Sequence, residues 1–327
     1  MFKVLLTCPP MINQIDLFKD LMSTHNIQID IPSFTQVMTE EKLINILPNY
    51  DGWIIGDDPA TRKVFESGKK GNLKAAVKWG VGTDNVDFEA CKDLNIPITN
   101  IPGVFGEEVS DVAIGMLLNL TRKLHMIDTE TKKGNWIKPC GNSLSGKKVC
   151  LIGFGDIGRC TARKLLSFNL NVYVSDPGFE KIDGKIICKY NKNIIVPENI
   201  QKVHITNLDD ALNNCDFVIV TCVLNKHTYH LINKDKVMKC KKGVKIINVA
   251  RGPIVKEDDV VELLEKDFIS AVGFDVFVTE PLPDNSKLRY FPQNFYGSHN
   301  GSNTIEGVIK TSTIAIEKIK TFLNVNR

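Results

Sequence analysis

A glycine-rich turn between an apolar run and a helical pattern constrains the fold more than any other feature. The run Lys148–Ile152 leads directly into Gly153, Gly155 and Gly158, which have the spacing GxGxxG. In such a strand–turn–helix unit the first glycine permits the tight turn and the second lets the backbone approach a pyrophosphate. The third lets the helix pack closely on the strand. The motif alone is common, but here a strand precedes it and a helix follows it, which predicts a dinucleotide-binding fold with the phosphates at the helix N-terminus.

An acidic residue follows this motif at the distance that a dinucleotide-binding fold requires. Asp176 comes 18 residues after Gly158, at the end of a second predicted strand. A separation of about 20 residues is typical of a carboxylate that binds the ribose hydroxyls of the adenosine half. The alternative is that Asp176 and Pro177 only initiate a turn. Because a carboxylate would repel a 2′-phosphate and no arginine follows directly, the sequence favours NAD over NADP.

Strand and helix patterns alternate along the whole chain, which predicts an α/β fold with two doubly wound parallel-sheet domains. A length of 327 residues suits two domains. Residues 1–103 and 299–327 are expected to form a discontinuous, flavodoxin-like substrate domain, with a Rossmann domain of residues 104–298 inserted in it. The predicted strands are Phe2–Thr7, Ile27–Ile31, Gly52–Ile55, Ala75–Trp79, Ile96–Thr99 (an edge, because of Pro97), Lys148–Ile152, Asn171–Ser175, Asp216–Thr221, Val244–Val249 and Ala271–Asp275.

Helical periodicity predicts the segments that connect and cover these strands. An acidic N-cap before a proline, at Asp57–Pro59, predicts the start of one helix there. The stretch Lys132–Lys147 is polar, has several glycines and lacks a period, so it is expected to be a loop or arm. The predicted helices are Gln14–Ser23, Pro59–Ser67, Glu107–Leu124 and Ser302–Leu323.

The composition excludes several classes of protein. The 41 basic and 38 acidic residues give a net charge of only +3, and the lysines at 239, 241 and 242 are expected on a solvated surface, so no nucleic-acid partner is expected. No apolar run approaches the length of about 20 residues that a membrane span needs, and the first ten residues do not resemble a signal peptide. Nine cysteines without a CxxC pair indicate reduced thiols and a cytoplasmic protein.

Three later segments carry the polar residues on which a chemical function could rest. They are Asn248–Val255 with Arg251, Gly273–Pro283 with Glu280, and Gly297–Gly301 with His299. Each side chain by itself has an ordinary alternative, namely a surface arginine, a loop glutamate or a hydrogen-bonded histidine. Ligands of open α/β sheets bind beyond the carboxyl ends of the strands, and Arg251 is predicted to lie at such an end.

The ordered set of motifs resembles the D-isomer-specific 2-hydroxyacid dehydrogenase family, which includes phosphoglycerate dehydrogenases and glyoxylate/hydroxypyruvate reductases. The resemblance covers nearly the whole chain. It rests on the GxGxxG motif and on the segments Trp79–Asp87, Asn100–Gly103, Asn248–Val255 and Gly273–Pro283. It implies an NAD-dependent oxidoreductase that transfers a hydride between nicotinamide and a small D-2-hydroxy acid or 2-oxo acid.

The resemblance also implies roles for individual residues. Arg251 would bind the substrate carboxylate, His299 would be the general acid or base at the reacting oxygen, and Glu280 would orient and charge the histidine. The backbone of Val81 and Gly82 would bind the substrate carboxylate, together with Arg251 and His299. The expected cofactor contacts are Gly153, Gly155, Asp156, Ile157, Gly158, Asp176, Cys222, Val249, Ala250 and Asp275. No metal is expected.

The chain departs from the family pattern in places. Gly297-Ser-His299-Asn-Gly301 replaces the usual Thr-Pro-His-Ile-Gly-Gly, and Val223-Leu-Asn225 replaces Pro-Leu-Thr, while all three catalytic positions are intact. Acids at Asp57 and Asp58 stand where some phosphoglycerate enzymes place a basic residue, which argues against a phosphorylated substrate. Because only 28 residues follow His299, an additional regulatory domain is not expected.

Two alternatives to this function remain open at the level of sequence. The chain could be a short-form D-3-phosphoglycerate dehydrogenase, or a non-catalytic NAD-sensing binding protein of the same fold. A homodimer is expected, joined through the second α/β unit and the arm, because Trp136 is a large apolar group in an otherwise polar stretch.

Overall fold

The computed structural model describes residues 1–33 and 37–325. The chain divides into two compact units, Met1–Phe105 with Ser302–Arg327, and Gly106–Gly301. The crossings between the units therefore lie within three residues of the positions 103/104 and 298/299 that the sequence suggests. No helix in the described ranges combines the length and the apolar character that crossing a membrane requires.

The first unit is built on a five-stranded parallel sheet. Its strands are β1 Phe2–Leu6, β2 Ile27–Asp30, β3 Gly52–Ile55, β4 Ala75–Lys78 and β5 Ile98–Thr99. The spatial order is β2-β1-β3-β4-β5, which is the flavodoxin-like order, and β5 lies at an edge, as Pro97 predicts. The helices are α1 Pro9–Ile12, α2 Lys19–Thr24, α3 Glu40–Ile46, α4 Arg62–Lys70, α5 Phe88–Asp93 and the closing helix Ile305–Val325.

The helix start predicted at Asp57–Pro59 is wrong. Helix α4 begins at Arg62 with Thr61 as its N-cap. Asp58 is instead fully buried, and its carboxylate accepts the N–H of Met38 at 2.9 Å. Its backbone carbonyl accepts the side-chain amide of Asn85 at 2.7 Å. A tertiary contact rather than a helix terminus therefore binds one oxygen of this carboxylate, and the chain turns into the helix three residues later than its local signal indicates.

The second unit is built on a seven-stranded parallel sheet with the Rossmann order extended by one strand. Its strands are β6 Lys148–Ile152, β7 Asn171–Ser175, β10 His204–Ile205, β11 Phe217–Val220, β12 Val244–Asn248, β13 Ile269–Phe274 and β14 Phe295–Tyr296. Their spatial order is β10-β7-β6-β11-β12-β13-β14. Strands β6, β11, β12 and β13 are almost completely buried, which explains their continuous apolar sequences.

The second unit contains six α-helices in its described residues, and the helix Leu124–Lys132 among them was not predicted from the sequence. They are α6 Gly106–Arg122, α7 Leu124–Lys132, α8 Asp156–Ser167, α9 Leu208–Leu212, α10 Lys234–Val237 and α11 Glu257–Glu265. Lys123 has a left-handed backbone with φ of 57°, so it ends α6 and starts α7 in a new direction. The side chain of Asn119 fixes this corner by accepting the N–H of His125 at 2.8 Å. Residues 133–147 contain neither helix nor strand, as expected for the arm.

A two-stranded antiparallel hairpin follows β7 and was also missed. It consists of β8 Phe179–Ile182 and β9 Lys185–Cys188. Asp183 and Gly184 join the strands with φ angles of 49° and 78°. Positive φ at both central residues is the pattern of a type I′ turn, which Asp-Gly favours. The sequence signal for this hairpin was therefore present in the Asp-Gly pair between two stretches of strand character.

Candidate active site

The glycine-rich turn has the geometry that its sequence predicts. Gly153 has φ of +94°, and a Cβ there would lie 2.7 Å from the backbone nitrogen of Cys222. A Cβ on Gly158 would lie 2.2 Å from the carbonyl oxygen of Gly153, so the helix can approach the strand only without a side chain. At Gly155 no atom lies within 4 Å of such a Cβ. The middle glycine thus faces open space at the N-terminus of α8, where a phosphate can approach the backbone.

The first turn of α8 places Asp156 and Ile157 beside this open space. Both side chains are half-buried. The Asp156 carboxylate lies 3.9 Å from the Arg159 guanidinium, and a Cβ on Gly106 would lie 2.6 Å from the same carboxylate. The start of α8 is therefore packed tightly against the start of α6, which holds the helix N-terminus in place.

Asp176 follows β7 and binds two backbone groups. Its Oδ2 accepts the N–H of Phe154, inside the glycine-rich turn, at 2.7 Å, and its Oδ1 accepts the N–H of Gly178 at 2.7 Å. The structure therefore shows Asp176 at the start of a turn, which is the alternative that the sequence left open. Each carboxylate oxygen can accept more than one hydrogen bond, so this half-buried side chain keeps acceptor capacity for a ligand.

Two residues beyond β9, Tyr190 is an aromatic side chain whose place beside Asp176 the sequence did not indicate. The ring of Tyr190 lies 3.4 Å from the position of a Cβ on Gly178, and Asp176 Oδ1 lies 3.0 Å from that same position. The Tyr190 side chain is 80% exposed. Phe179 packs edge-on against Phe154 with ring centroids 5.2 Å apart, so the hairpin is fixed to the glycine-rich turn. The exposed ring therefore stands beside the carboxylate at the end of β7.

Cys222 follows β11 and lies against the glycine-rich turn. Burial raises the pKa of the Cys222 thiol to about 12. A hydrogen bond to its own backbone lowers this pKa, and the charge of Asp176 raises it further. The thiolate required of a nucleophile is therefore almost absent at neutral pH. The side chain lines the turn as a packed thiol.

The segment after β12 presents Arg251 through a tightly bonded turn. The buried Asn248 side chain accepts the Ala250 N–H at 3.1 Å and donates to the Arg251 carbonyl at 2.9 Å. Val249 and Ala250 are buried, and the half-buried guanidinium of Arg251 donates to the Ala250 carbonyl at 2.8 Å. The arginine is thus held at the carboxyl end of the sheet, where ligands of this fold bind.

Asp275, directly after β13, holds the segment that carries His299. Its carboxylate is buried and accepts the N–H groups of Asn300 and Gly301 at 3.2 Å and 2.9 Å. Its carbonyl accepts the His299 N–H at 2.6 Å, and its own N–H donates to Asn248 at 3.0 Å. Asp275 thereby connects the segments on which Arg251 and His299 lie.

Glu280 and His299 form the central hydrogen-bonded pair of this region. Glu280 Oε2 lies 2.7 Å from His299 Nδ1, and both side chains are about one-third exposed. Glu280 Oε1 accepts the N–H of Phe277 at 2.8 Å, and the Glu280–Pro281 peptide bond is cis. His299 has a left-handed backbone with φ of 55°. A residue other than glycine costs about 1–3 kcal/mol in that conformation, so the surrounding bonds must hold it, as is common at functional sites.

Val81 and Gly82 lie in the first unit, in the loop that follows β4. Gly80 has φ of +105°, and its carbonyl accepts the Ile101 N–H at 2.8 Å. The side chain of Asn100 donates to the Val81 carbonyl at 2.8 Å. Among the described residues, no hydrogen bond is formed by the N–H groups of Val81 and Gly82, so both remain able to bind an anion.

An ion pair that the sequence did not reveal lies at the carboxyl ends of β3 and β4. The buried ammonium of Lys78 donates to the Gly56 carbonyl at 2.6 Å and to the Asp57 carboxylate at 3.0 Å. Burial raises the pKa of the neighbouring Asp58 carboxyl. A lysine as the last residue of an otherwise apolar strand was the available signal. In the described part of the chain, no group of three or more histidine, cysteine or acidic side chains could hold a metal.

Comparison with known proteins identifies the family. Residues 114–301 match the sequence profile of the D-isomer specific 2-hydroxyacid dehydrogenase NAD-binding domain. The chain is 32% identical to a glyoxylate reductase of Thermofilum pendens, over 76% of this chain and 71% of that protein. It is 30% identical to a hydroxypyruvate reductase of Thermotoga maritima, over 86% and 88% of the two chains.

Solved structures support the same fold. The TT0316 protein of Thermus thermophilus matches with a TM-score of 0.83 and 23% identity, over 98% of this chain and 97% of that one. The apo-structure of Escherichia coli D-lactate dehydrogenase matches with a TM-score of 0.80 and 22% identity, over 98% and 97%. At identities below 25%, these structures establish the fold alone. The family match and the relatives with 30% or more identity establish the family and the enzyme class. The chain belongs to the D-isomer specific 2-hydroxyacid dehydrogenase family and is an NAD-dependent oxidoreductase.

Proposed function

We propose that this enzyme interconverts a small, unphosphorylated 2-oxo acid and its D-2-hydroxy acid, with Arg251, Glu280 and His299 as the catalytic residues. The observation that carries the proposal is the 2.7 Å contact between Glu280 and His299, held beside the end of the sheet that presents Arg251. A histidine with a carboxylate on one ring nitrogen is a suitable general acid and base for a carbonyl–alcohol interconversion.

His299 performs the proton transfer. Because Glu280 binds Nδ1, the ring orientation is fixed and Nε2 is the atom that exchanges a proton with the reacting oxygen. In the direction of reduction the imidazolium protonates the developing alkoxide, and the carboxylate stabilises the charged ring before transfer. In the direction of oxidation the neutral ring accepts the hydroxyl proton.

Arg251 binds the carboxylate of the substrate. Its planar guanidinium offers two parallel N–H donors, a geometry that a lysine cannot reproduce. The N–H groups of Val81 and Gly82 are proposed to bind the same carboxylate, and their availability in the β4 loop supports this. Together these donors orient the carbonyl carbon for transfer.

When bound, NAD would supply or accept the hydride at the carbon that carries the reacting oxygen. The open space at Gly155 and the start of α8 fit its pyrophosphate, with Gly153, Asp156, Ile157 and Gly158 around it. Asp176 fits the ribose of the adenosine half. Cys222, Val249, Ala250 and Asp275 are proposed as the remaining contacts along the carboxyl ends of the strands.

Tyr190 is proposed as a surface against which the adenine ring stacks. Its exposed ring stands beside the turn that contains Asp176, and the hairpin that directly precedes it is fixed to the glycine-rich turn. An aromatic face can stack on a purine without requiring hydrogen bonds, so the residue would add affinity for the adenosine half of the cofactor.

The substrate is proposed to lack a phosphate. Asp57 and Asp58 follow β3, so two acids stand there, and the Asp57 carboxylate lies 3.0 Å from the Lys78 ammonium and neutralises it. Two relatives of this chain are named as reductases of glyoxylate and hydroxypyruvate, both small 2-oxo acids. Others are named D-3-phosphoglycerate dehydrogenase, so a short-form enzyme of that kind is the alternative.

The test is loss of NADH absorbance with a panel of glyoxylate, hydroxypyruvate, pyruvate and longer 2-oxo acids, run beside oxidation of D-3-phosphoglycerate. We expect the highest kcat/KM with one of the small unphosphorylated acids and much weaker use of NADPH. A preference for phosphoglycerate would contradict the substrate assignment. Binding of NADH without turnover of any acid would favour the non-catalytic NAD-sensing protein.

We further propose that the enzyme is a homodimer joined through the second unit and the arm of residues 132–147. Trp136 in that arm is 81% exposed, an unusual position for the largest apolar side chain. Light scattering at micromolar concentration should give twice the 36.6 kDa mass of the chain, and Trp136→Ala should weaken the assembly. A monomeric wild-type protein would contradict the proposal.

A further inference from the structure

Glu257 connects the segment of Arg251 to the loop of Glu280. It lies in the first turn of α11, six residues after Arg251, and its Oε1 accepts the N–H of Val278 at 2.8 Å. The preceding N–H of the loop, that of Phe277, is bound by Glu280 Oε1 at 2.8 Å. Two carboxylates from different segments therefore bind consecutive amides of one short loop.

The same loop packs against the Arg251 segment without space for adjustment. A Cβ on Gly252 would lie 1.9 Å from the carbonyl carbon of Phe277 and 2.3 Å from the nitrogen of Val278. The packing fixes how closely the two segments approach. The hydrogen bond from the Val278 N–H to Glu257 is directional, so it adds a constraint on the orientation of the loop that carries Glu280.

The groups that face Glu257 are consistent with this arrangement. Burial raises the pKa of the Glu257 carboxyl, the Val278 N–H opposes this, and the charges of Asp258 and Glu280 add to it. On β14, burial raises the pKa of Tyr296 to about 12. The hydrogen bond with Asn294 lowers this pKa, and the charge of Glu257 raises it. Glu257 is thus half-buried beside other acidic groups, and it binds a backbone amide.

We propose that Glu257 is a positioning residue, whose acceptor oxygen holds the Phe277–Glu280 loop so that Glu280 meets His299. The inference rests on the proposed function of that pair. It requires the oxygen at the end of the Glu257 side chain and not its negative charge. Two variants separate these properties, because Glu257→Gln keeps an oxygen at the same reach without the charge. Glu257→Asp keeps the charge but withdraws it by one methylene, beyond hydrogen-bond distance.

The experiment measures kcat, KM and the pH dependence of 2-oxo acid reduction in the full-length variants with NADH. Glu257→Asp should lower kcat by about 10-fold to 100-fold, the cost of misplacing a catalytic group by roughly 1 Å. KM for NADH should not change. Because His299 loses its carboxylate when the loop rotates, the alkaline limb of the pH profile should move to lower pH. Glu257→Gln should retain the wild-type kcat and pH profile.

Asp258→Ala is the matched control, since Asp258 is an exposed acid in the same helical turn. It should leave kcat and the pH profile unchanged. Folding of each variant is checked by thermal unfolding, and the isosteric Glu257→Gln and the acidic Glu257→Asp are chosen because neither deletes the side chain. The inference is overturned if folded Glu257→Asp keeps the wild-type kcat and profile, or if Glu257→Gln loses as much activity as Glu257→Asp.

Glu280→Gln, measured in the same assay, separates this inference from the proposed function. If Glu280→Gln keeps the wild-type turnover, the assignment of the catalytic pair fails, whatever Glu257 does. If Glu280→Gln loses turnover while Glu257→Asp does not, the catalytic pair stands and only the positioning role is lost.

Discussion

The two carboxylate oxygens of Glu280 have separate partners: Oε1 accepts the backbone N–H of Phe277, and Oε2 lies 2.7 Å from His299 Nδ1. The glutamate is therefore fixed by its own loop before it meets the histidine. His299, in turn, is held in a left-handed conformation by the bond from its N–H to Asp275. Both members of the pair are positioned by backbone contacts, which is the preorganisation that proton transfer requires.

Replacing His299 should remove turnover and spare cofactor binding. His299→Asn keeps a polar side chain that can donate to Glu280, but it cannot exchange a proton near neutral pH. We expect kcat to fall by about 10²–10⁴-fold, the usual contribution of a placed acid. NADH affinity, measured by fluorescence titration, should stay near wild type. His204→Asn, on the edge strand β10, serves as control, and near-normal turnover in His299→Asn would contradict the acid assignment.

The sequence predicted this pair without showing how it is held. Glu280 was identified because its segment matches a family pattern, and His299 because it follows the Arg251 and Glu280 segments, although its own segment departs from that pattern. Strand β13, which precedes Glu280, was predicted from an apolar run that the parallel sheet buries. The role of Asp275 as the support of the His299 segment could not be predicted, because its partners at Asn300 and Gly301 are backbone N–H groups. Such bonds depend on loop conformation and leave no pattern in side-chain types.

Several elements of the fold were predicted incorrectly or missed, mostly because the deciding features are not visible in the local sequence pattern. Asp58 has the local features of a helix cap but is buried against Met38, so a tertiary contact outweighs the local preference. Lys123 ends one helix and begins the next through a left-handed backbone that is unusual for lysine. The hairpin after β7 was missed although Asp183 and Gly184 favour it, because the alternation of strands and helices predicted only parallel strands in this unit.

Arg251 should not tolerate replacement by lysine. Its guanidinium is held by the turn after β12 and offers a fork of donors, whereas an ammonium presents a single charged point. Loss of one charge-assisted hydrogen bond to the substrate carboxylate should lower kcat/KM for the 2-oxo acid by about 10-fold or more. NADH binding should be retained. Arg62→Lys, in the first unit, is the control, and unchanged kcat/KM in Arg251→Lys would argue against a bidentate contact.

Asp176 should contribute to both cofactor choice and the shape of the glycine-rich turn. Asp176→Ala removes the carboxylate that disfavours a 2′-phosphate, so NADH should bind more weakly and the gap to NADPH should narrow. It also removes the acceptor of the Phe154 and Gly178 N–H groups, so thermal stability should fall. Fluorescence titration with both cofactors and a thermal melt test these effects. Equal affinities before and after the change would leave Asp176 as a turn residue only.

Tyr190 provides a test that separates the two halves of the cofactor. If its exposed ring stacks on adenine, Tyr190→Ala should raise the Kd for NADH by about 5-fold or more, corresponding to the lower end of base–aromatic stacking energies. Tyr190→Phe should bind NADH normally, because stacking needs the ring and not the hydroxyl. Reduced nicotinamide mononucleotide lacks the adenosine half, so its use as a hydride donor should be the same in wild type and Tyr190→Ala.

The matched control for Tyr190 is Tyr290→Ala, which removes a tyrosine of comparable exposure, 72%, from another part of the same unit. It should leave the Kd for NADH unchanged. A general loosening of the hairpin would instead appear as a lower melting temperature and as weaker binding in Tyr190→Phe as well. Equal NADH affinity in wild type and Tyr190→Ala would show that the hairpin does not contact the adenine. If Tyr190→Ala weakened the use of NADH and of reduced nicotinamide mononucleotide equally, Tyr190 would act through the glycine-rich turn and not through adenine. Phe154 and Phe179 link that turn to the hairpin.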